Sequence, residues 1–102
     1  MNAIAELQEW YLSQCNGVWE HAHGVEISTL DNPGWCFIID LSDTSLSGEE
    51  FGEYSYGVTN EVESIGDNWL ICKVEDSKFV GYGGPQKLEE IINVFLSWVK
   101  KD

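Results

Sequence analysis

The apolar residues of this chain follow helical spacing at its two ends and strand spacing in between. Residues 2–15 place apolar side chains at i, i+3, i+7 and i+11, and a second such pattern runs from residue 85 onward. The middle of the chain instead alternates side chains in short runs separated by turn residues. Because consecutive strands joined by short turns pair antiparallel, we predict an α+β domain. It has an antiparallel sheet of about five strands, flanked by N-terminal and C-terminal helices in two layers.

The two helical patterns define the faces that we expect to be buried. The N-terminal stripe is Ile4, Leu7, Tyr11 and Cys15, with Leu12 beside it. The C-terminal stripe is Leu88, Ile91, Ile92, Phe95 and Val99, and Pro85 suits the first position of that helix. Trp10 and Trp98 lie off these stripes, so they either seal the helix edges or belong to a contact surface. The helices cover the same sheet face or one face each.

Strand periodicity and turn residues divide the middle of the chain into five segments. We predict strands at 25–30, 35–41, 51–59, 69–74 and 78–82. The segment Asp31–Gly34 is predicted to be a type II turn, in which Pro33 fixes φ and Gly34 supplies a positive φ. Residues 18–24 are expected to be irregular or extended, and residues 42–50 to be a loop.

Negative charge is concentrated in the first part of the chain. The net charge is −13, yet no Lys or Arg occurs before Lys73. Residues 1–72 carry thirteen carboxylates, whereas residues 73–102 carry five acids and five lysines. Such a surface repels phosphate backbones and anionic membranes, so we expect neither nucleic acid nor a membrane as partner. It attracts a basic protein.

Composition and cysteine usage set the class of protein. A length of 102 residues fits one domain, residues 1–102, and an apolar content of 43% excludes a disordered acidic tail. No apolar run has the length of a membrane span, and the N-terminus has no signal-peptide pattern. Cys15, Cys36 and Cys72 are odd in number and widely spaced, as in reduced cytoplasmic proteins. We therefore expect a cytoplasmic protein.

Patterns that could carry chemistry are weak in this chain. His21 and His23, next to Glu20, could form part of a metal site, but no third and fourth ligand follow at suitable spacing. Asp31, Asp40 and Asp43 lie close in sequence, but an Asp at a strand end usually faces solvent. The glycines at 81–84 lack the spacing and the Lys of a phosphate-binding loop. We expect no catalytic residue, no metal and no cofactor.

An acidic segment with two tyrosines is the best candidate for partner binding. Its alternative interpretation is a merely solvated face, but uncompensated charge over 72 residues favours an interaction surface. The predicted partner-binding residues are Asp43, Glu49, Glu50, Glu53, Tyr54, Tyr56, Glu61, Glu63 and Asp67.

Four short motifs resemble the immunity protein 53 family of bacterial polymorphic-toxin systems. They are LQEWY at 7–11, WEH at 19–21, TLDNPGW at 29–35 and IDL at 39–41, all in family order. The resemblance implies a non-catalytic immunity protein that binds a cognate toxin domain in the producing cell and blocks it. It identifies no contact residues.

Charge and resemblance lead to one hypothesis: a cytoplasmic protein that neutralises a basic toxin, such as a nuclease, by stoichiometric occlusion. Acidic residues 43–67 would steer the toxin, and Tyr54 or Tyr56 would anchor it. One alternative is an acidic module that binds another basic protein. The other is a small enzyme or ligand-binding protein that uses Asp31, Asp40 and the two histidines.

Overall fold

The computed structural model describes residues 2–31, 33–58 and 68–101, with the Lys101 side chain excepted. Its elements follow the predicted order of helix, strands and helix, and one short helix is added. They are α1 (Ala3–Gln14), α2 (Trp19–Ala22), β1 (Val25–Leu30), β2 (Gly34–Asp40), β3 (Tyr54–Tyr56), β4 (Leu70–Glu75), β5 (Lys78–Gly83) and α3 (Leu88–Lys101). The predicted α+β class is confirmed. None of the helices in these ranges is long and apolar enough for a membrane span.

The described strands form one antiparallel sheet in the order β1-β2-β5-β4-β3. Both long helices lie on the same face of this sheet. The Phe37 ring of β2 lies 6.3 Å from Phe95 of α3, and Phe95 lies 5.0 Å from Trp10 of α1. Of the two arrangements that the sequence allowed, the structure has the one in which the helices share a face.

Aromatic side chains fill the core between sheet and helices. The fully buried Phe79 lies within 5.2–6.3 Å of four other rings, measured between centroids. These rings are Phe37, Phe51, Phe95 and Trp98. Trp10 and Trp98 are each only 8% exposed, so both belong to this core rather than to an outer contact surface.

Gly81 lets α3 approach the sheet closely. A Cβ at this position would collide with the Cγ2 methyl of Ile91, which is fully buried. Gly34 allows a close approach between β2 and β5, because a Cβ there would collide with the carbonyl oxygen of Gly83. The predicted positive φ at Gly34 is wrong, since this residue begins β2 in extended conformation.

The predicted buried stripe of α1 is confirmed at Leu7 and wrong at Ile4, Tyr11 and Leu12. The helix buries Ala3, Leu7 and Trp10, whereas Ile4, Tyr11 and Leu12 are 48%, 40% and 70% exposed. Burying Trp10 removes more apolar surface from water than burying Ile4, and Ala3 leaves room for α3. The helix is therefore rotated away from the predicted stripe, which leaves large apolar side chains in solvent.

Three segments differ from the expected secondary structure. Residues 19–22 form α2 instead of an extended entry, because Asn16 Oδ1 accepts hydrogen bonds from the backbone N–H of Val18 and Trp19. Helix α3 begins at Leu88, and Pro85 lies before it, where its carbonyl accepts a bond from Trp35 Nε1. Of the predicted strand 51–59, residue 59 lies outside the described residues, and within 51–58 strand β3 covers Tyr54–Tyr56.

Candidate partner-binding site

The core positions residues 49–53, the part of the acidic segment that directly precedes β3. The Phe51 ring lies 5.0 Å from Trp98 and 5.3 Å from Phe79, which shows why residue 51 leaves the strand pattern. Trp98 Nε1 also donates a 3.0 Å hydrogen bond to the Glu50 carbonyl oxygen. Leu46 is buried as well. These contacts hold the segment against α3 while the carboxylates of Glu49, Glu50 and Glu53 remain exposed.

An open groove of about 590 Å³ lies between this segment and α3. We call it the acidic groove, and its polar lining consists of Glu50, Tyr54, Glu90, Asn93 and Ser97. Two of these five residues carry carboxylates. The Trp98 and Phe51 side chains form part of its apolar floor. The groove thus offers aromatic and apolar contacts beside negative charge, which suits a basic side chain with an aliphatic stem.

The two tyrosines of β3 differ in availability. Tyr56 is half-buried, and its hydroxyl donates a 2.7 Å hydrogen bond to Glu90 Oε1. Lys87 Nζ lies 5.3 Å from the Tyr56 ring centroid and 3.9 Å from Glu90 Oε1. Burial, together with the hydrogen bond to Glu90, raises the pKa of Tyr56. Tyr56 therefore has a structural role, whereas Tyr54 is 45% exposed and accessible to a partner.

Asp43 belongs to a different cluster, the His23 cluster of His23, Asp40 and Asp43. His23 Nδ1 lies 2.8 Å from Asp40 Oδ2, and Nε2 lies 3.4 Å from Asp43 Oδ2. The hydrogen bond to Asp40 raises the pKa of His23 against the opposing effect of burial, and Asp43 adds to the rise. Burial acts to raise the pKa of Asp40, but hydrogen bonds from Ser42 and His23 outweigh it and lower the pKa.

We expect the His23 cluster to make stability depend on pH. A histidine whose pKa is raised on folding contributes fully below its unfolded pKa of about 6.5, and this contribution is lost as pH rises through the folded pKa. At low pH the stabilisation is limited by Asp40, because the contribution of its carboxylate to stability is lost as pH falls through its lowered pKa. His23→Gln should therefore lower the melting temperature more at about pH 6 than at about pH 8.5.

A matched control is His21→Gln, because His21 is exposed on α2. Thermal melts of both variants and the wild type over this pH range provide the measurement. An equal loss of melting temperature at both pH values for His23→Gln would contradict a charged His23 in the folded protein.

The predicted partner-binding residues that the structure describes lie in different parts of the molecule. Glu61, Glu63 and Asp67 lie outside the described residues. Of the other six, Glu50 and Tyr54 line the acidic groove, Glu49 and Glu53 are exposed on the same segment, and Tyr56 and Asp43 lie in the networks above. Sequence reasoning missed Glu90, Asn93 and Ser97. Their signal was a polar strip on α3 at helical spacing i, i+3 and i+7.

Of the alternative site of Asp31, Asp40 and the two histidines, the structure brings His23 and Asp40 together but not Asp31. Asp31 follows β1 and Asp40 ends β2, so they occupy opposite ends of the hairpin, about 20 Å apart at strand spacing. Across ranges 2–31, 33–58 and 68–101, no group of three or more His, Cys, Asp or Glu side chains could hold a metal ion. Burial raises the pKa of the Cys72 thiol to about 12, which disfavours a reactive thiolate.

Comparison with known proteins supports the earlier resemblance. No curated protein and no solved structure shows significant similarity to this chain. The model of the family described as Immunity protein 53 matches residues 4–100, nearly the whole sequence. The match extends beyond the N-terminal motifs through the acidic segment and α3, and the chain therefore belongs to the immunity protein 53 family.

Proposed function

We propose that this protein neutralises a basic toxin domain by binding it in a stoichiometric complex, in the cytoplasm of the cell that makes both. Family membership implies a cognate toxin as partner. The observation that supports a basic toxin is the acidic groove with the exposed carboxylates of Glu49, Glu50 and Glu53 beside it. Toxins that cleave nucleic acids need a cationic surface for their substrate, so a nuclease is the class of toxin that fits best.

In this proposal, electrostatic attraction between the two proteins raises the association rate. A field of uncompensated carboxylates draws in a cationic partner and raises the rate constant to about 10⁸ M⁻¹s⁻¹ or more at low salt. A cell exposed to its own toxin needs such rapid capture. The apolar floor and Tyr54 then slow dissociation, because buried aromatic contacts carry much of the energy of an interface. Occlusion of the toxin's substrate surface requires no catalysis by the immunity protein.

Titration of toxin activity tests this mechanism. The probe is a candidate toxin domain from a neighbouring gene, co-expressed with the protein and purified as a complex. Occlusion predicts that cells making the toxin survive only when they also make this protein, and that toxin activity falls linearly to zero at an equimolar ratio. Complete inhibition at a small fraction of one equivalent would contradict occlusion, because only a catalytic inhibitor turns over. Growth arrest despite abundant folded protein would contradict neutralisation itself.

A further inference from the structure

A second groove lies along the flank of α1 that faces the β1 edge of the sheet. It has a volume of about 410 Å³ and lies between α1 and the start of β1, and its apolar lining includes Ile4, Leu7, Tyr11, Val25 and Ile27. Ile4, Tyr11 and Ile27 are 48%, 40% and 41% exposed. We call it the apolar groove. It arises because α1 turns Trp10 rather than Ile4 and Tyr11 toward the core.

The edge of β1 beside this groove has free hydrogen-bonding capacity. Asp40 N–H donates to the Gly24 carbonyl oxygen at 3.0 Å, so Gly24 and Asp40 form a hydrogen-bonded pair of the antiparallel ladder. Pairs of this type alternate along the strand, and Ile27 and Thr29 therefore direct their N–H and C=O groups off the sheet edge. Within the described part of the chain, β1 pairs only with β2.

Of Ile27 and Thr29, Ile27 also directs its side chain into the groove. Ile27 lies opposite Phe37, whose ring contacts α3, so the Ile27 side chain is on the helix-covered face. Glu26 lies opposite Ile38 and is exposed on the other face. A strand added to this edge would thus place alternate side chains in the apolar groove and the intervening ones beside Glu26.

Charge around the groove determines the kind of strand that fits. Residues 2–31 contain five carboxylates and no Lys or Arg. Glu6 is paired with Lys100 at 2.8 Å, but no ion pair engages Glu9 or Glu26 among the residues described. A second copy of this chain carries the same charge of −13 and would be repelled. Charge complementarity therefore selects a strand with Lys or Arg between its apolar residues.

From these observations we infer that the edge of β1 and the apolar groove bind an extended strand of the toxin, with alternating apolar and basic residues. The inference rests on the proposed function and adds a second contact surface to it. Main-chain hydrogen bonds to β1 align the strand, and its apolar side chains fill the groove beside Ile27 and Tyr11. Its basic side chains lie near Glu26 on the opposite face.

Amide hydrogen exchange tests the strand pairing directly. In the free protein, the N–H groups of Ile27 and Thr29 should exchange rapidly, whereas those of Glu26 and Ser28, which face β2, should be protected. In the complex with the purified toxin domain, Ile27 and Thr29 should also become protected. Protection confined to other parts of the molecule would overturn the inference.

Two pairs of variants test the same contact by affinity. Thr29→Pro removes an outward N–H at a position where an edge strand tolerates proline, and Thr29→Val retains it. Ile27→Asp places a charge in the groove, and Ile27→Val retains its apolar character. We expect Thr29→Pro and Ile27→Asp to weaken toxin binding by about tenfold or more, and the valine variants by less than about threefold. Melting curves verify that each variant is folded.

The outcomes separate this inference from the proposed function. Unchanged affinity in folded Thr29→Pro and Ile27→Asp, with strong binding of the wild type, would overturn the β1 contact and leave toxin neutralisation intact. A wild type that does not bind the toxin domain would overturn both.

Discussion

Replacing Phe79 by alanine should lower the free energy of unfolding by about 3–5 kcal/mol. Phe79 is fully buried, and its ring contacts those of Phe37, Phe51, Phe95 and Trp98. The substitution removes apolar contacts and leaves a cavity that the surrounding rings can fill only in part. Because a domain of this size has a total stability of about 5–15 kcal/mol, the loss is a large fraction of it.

Urea denaturation followed by tryptophan fluorescence measures this effect. Phe79→Leu preserves most of the volume and should cost less than about 1.5 kcal/mol. Lys78→Ala, at the neighbouring exposed position, should change stability by less than about 0.5 kcal/mol. A small effect of Phe79→Ala would contradict its central place in the core.

Because the position of Phe51 depends on its contact with the Phe79 ring, we also expect Phe79→Ala to weaken toxin binding at the acidic groove.

Much of the fold could be predicted because periodicity reports which residues share a face. The strands at 25–30 and 78–82 are found within one residue of their predicted bounds. The rotation of α1 could not be predicted in this way, because two apolar faces overlap on that helix. Ile4 and Tyr11 satisfy the spacing rule, but Trp10 contributes more buried surface and contacts Phe95. Periodicity contains no information about which partner α1 meets.

The candidate site was predictable only in its local part. The exposed carboxylates of Glu49, Glu50 and Glu53 follow from charge and polarity along the sequence. The acidic groove also needs α3, which lies about 40 residues later, and the two parts meet through the bond from Trp98 to the Glu50 carbonyl. The role of Tyr56 likewise depends on its contact with Glu90 across the helix–sheet interface. Such contacts are tertiary and leave no local signal.

Neutralising the three acidic residues beside the groove should slow toxin association by roughly ten- to a hundredfold at low ionic strength. The variant Glu49→Gln, Glu50→Gln, Glu53→Gln keeps side-chain size and removes three negative charges. The three carboxylates are exposed, so the fold should be unaffected. Steering acts over the Debye length, and the difference from wild type should shrink as salt approaches about 0.5 M. Stopped-flow measurements over a range of salt concentrations provide the rate constants.

The matched control removes the same charge elsewhere, with the exposed residues changed as Glu75→Gln, Asp76→Asn and Glu89→Gln. Glu75 and Asp76 lie at the β4–β5 turn, and none of the three residues lines the acidic groove. If net charge alone governed capture, both triple variants would slow association equally. A local binding face predicts a much larger effect for the variant beside the groove, since the potential there acts on the toxin at the moment of contact. Equal slowing would contradict the acidic groove as binding face, and unchanged rates in both would contradict electrostatic capture.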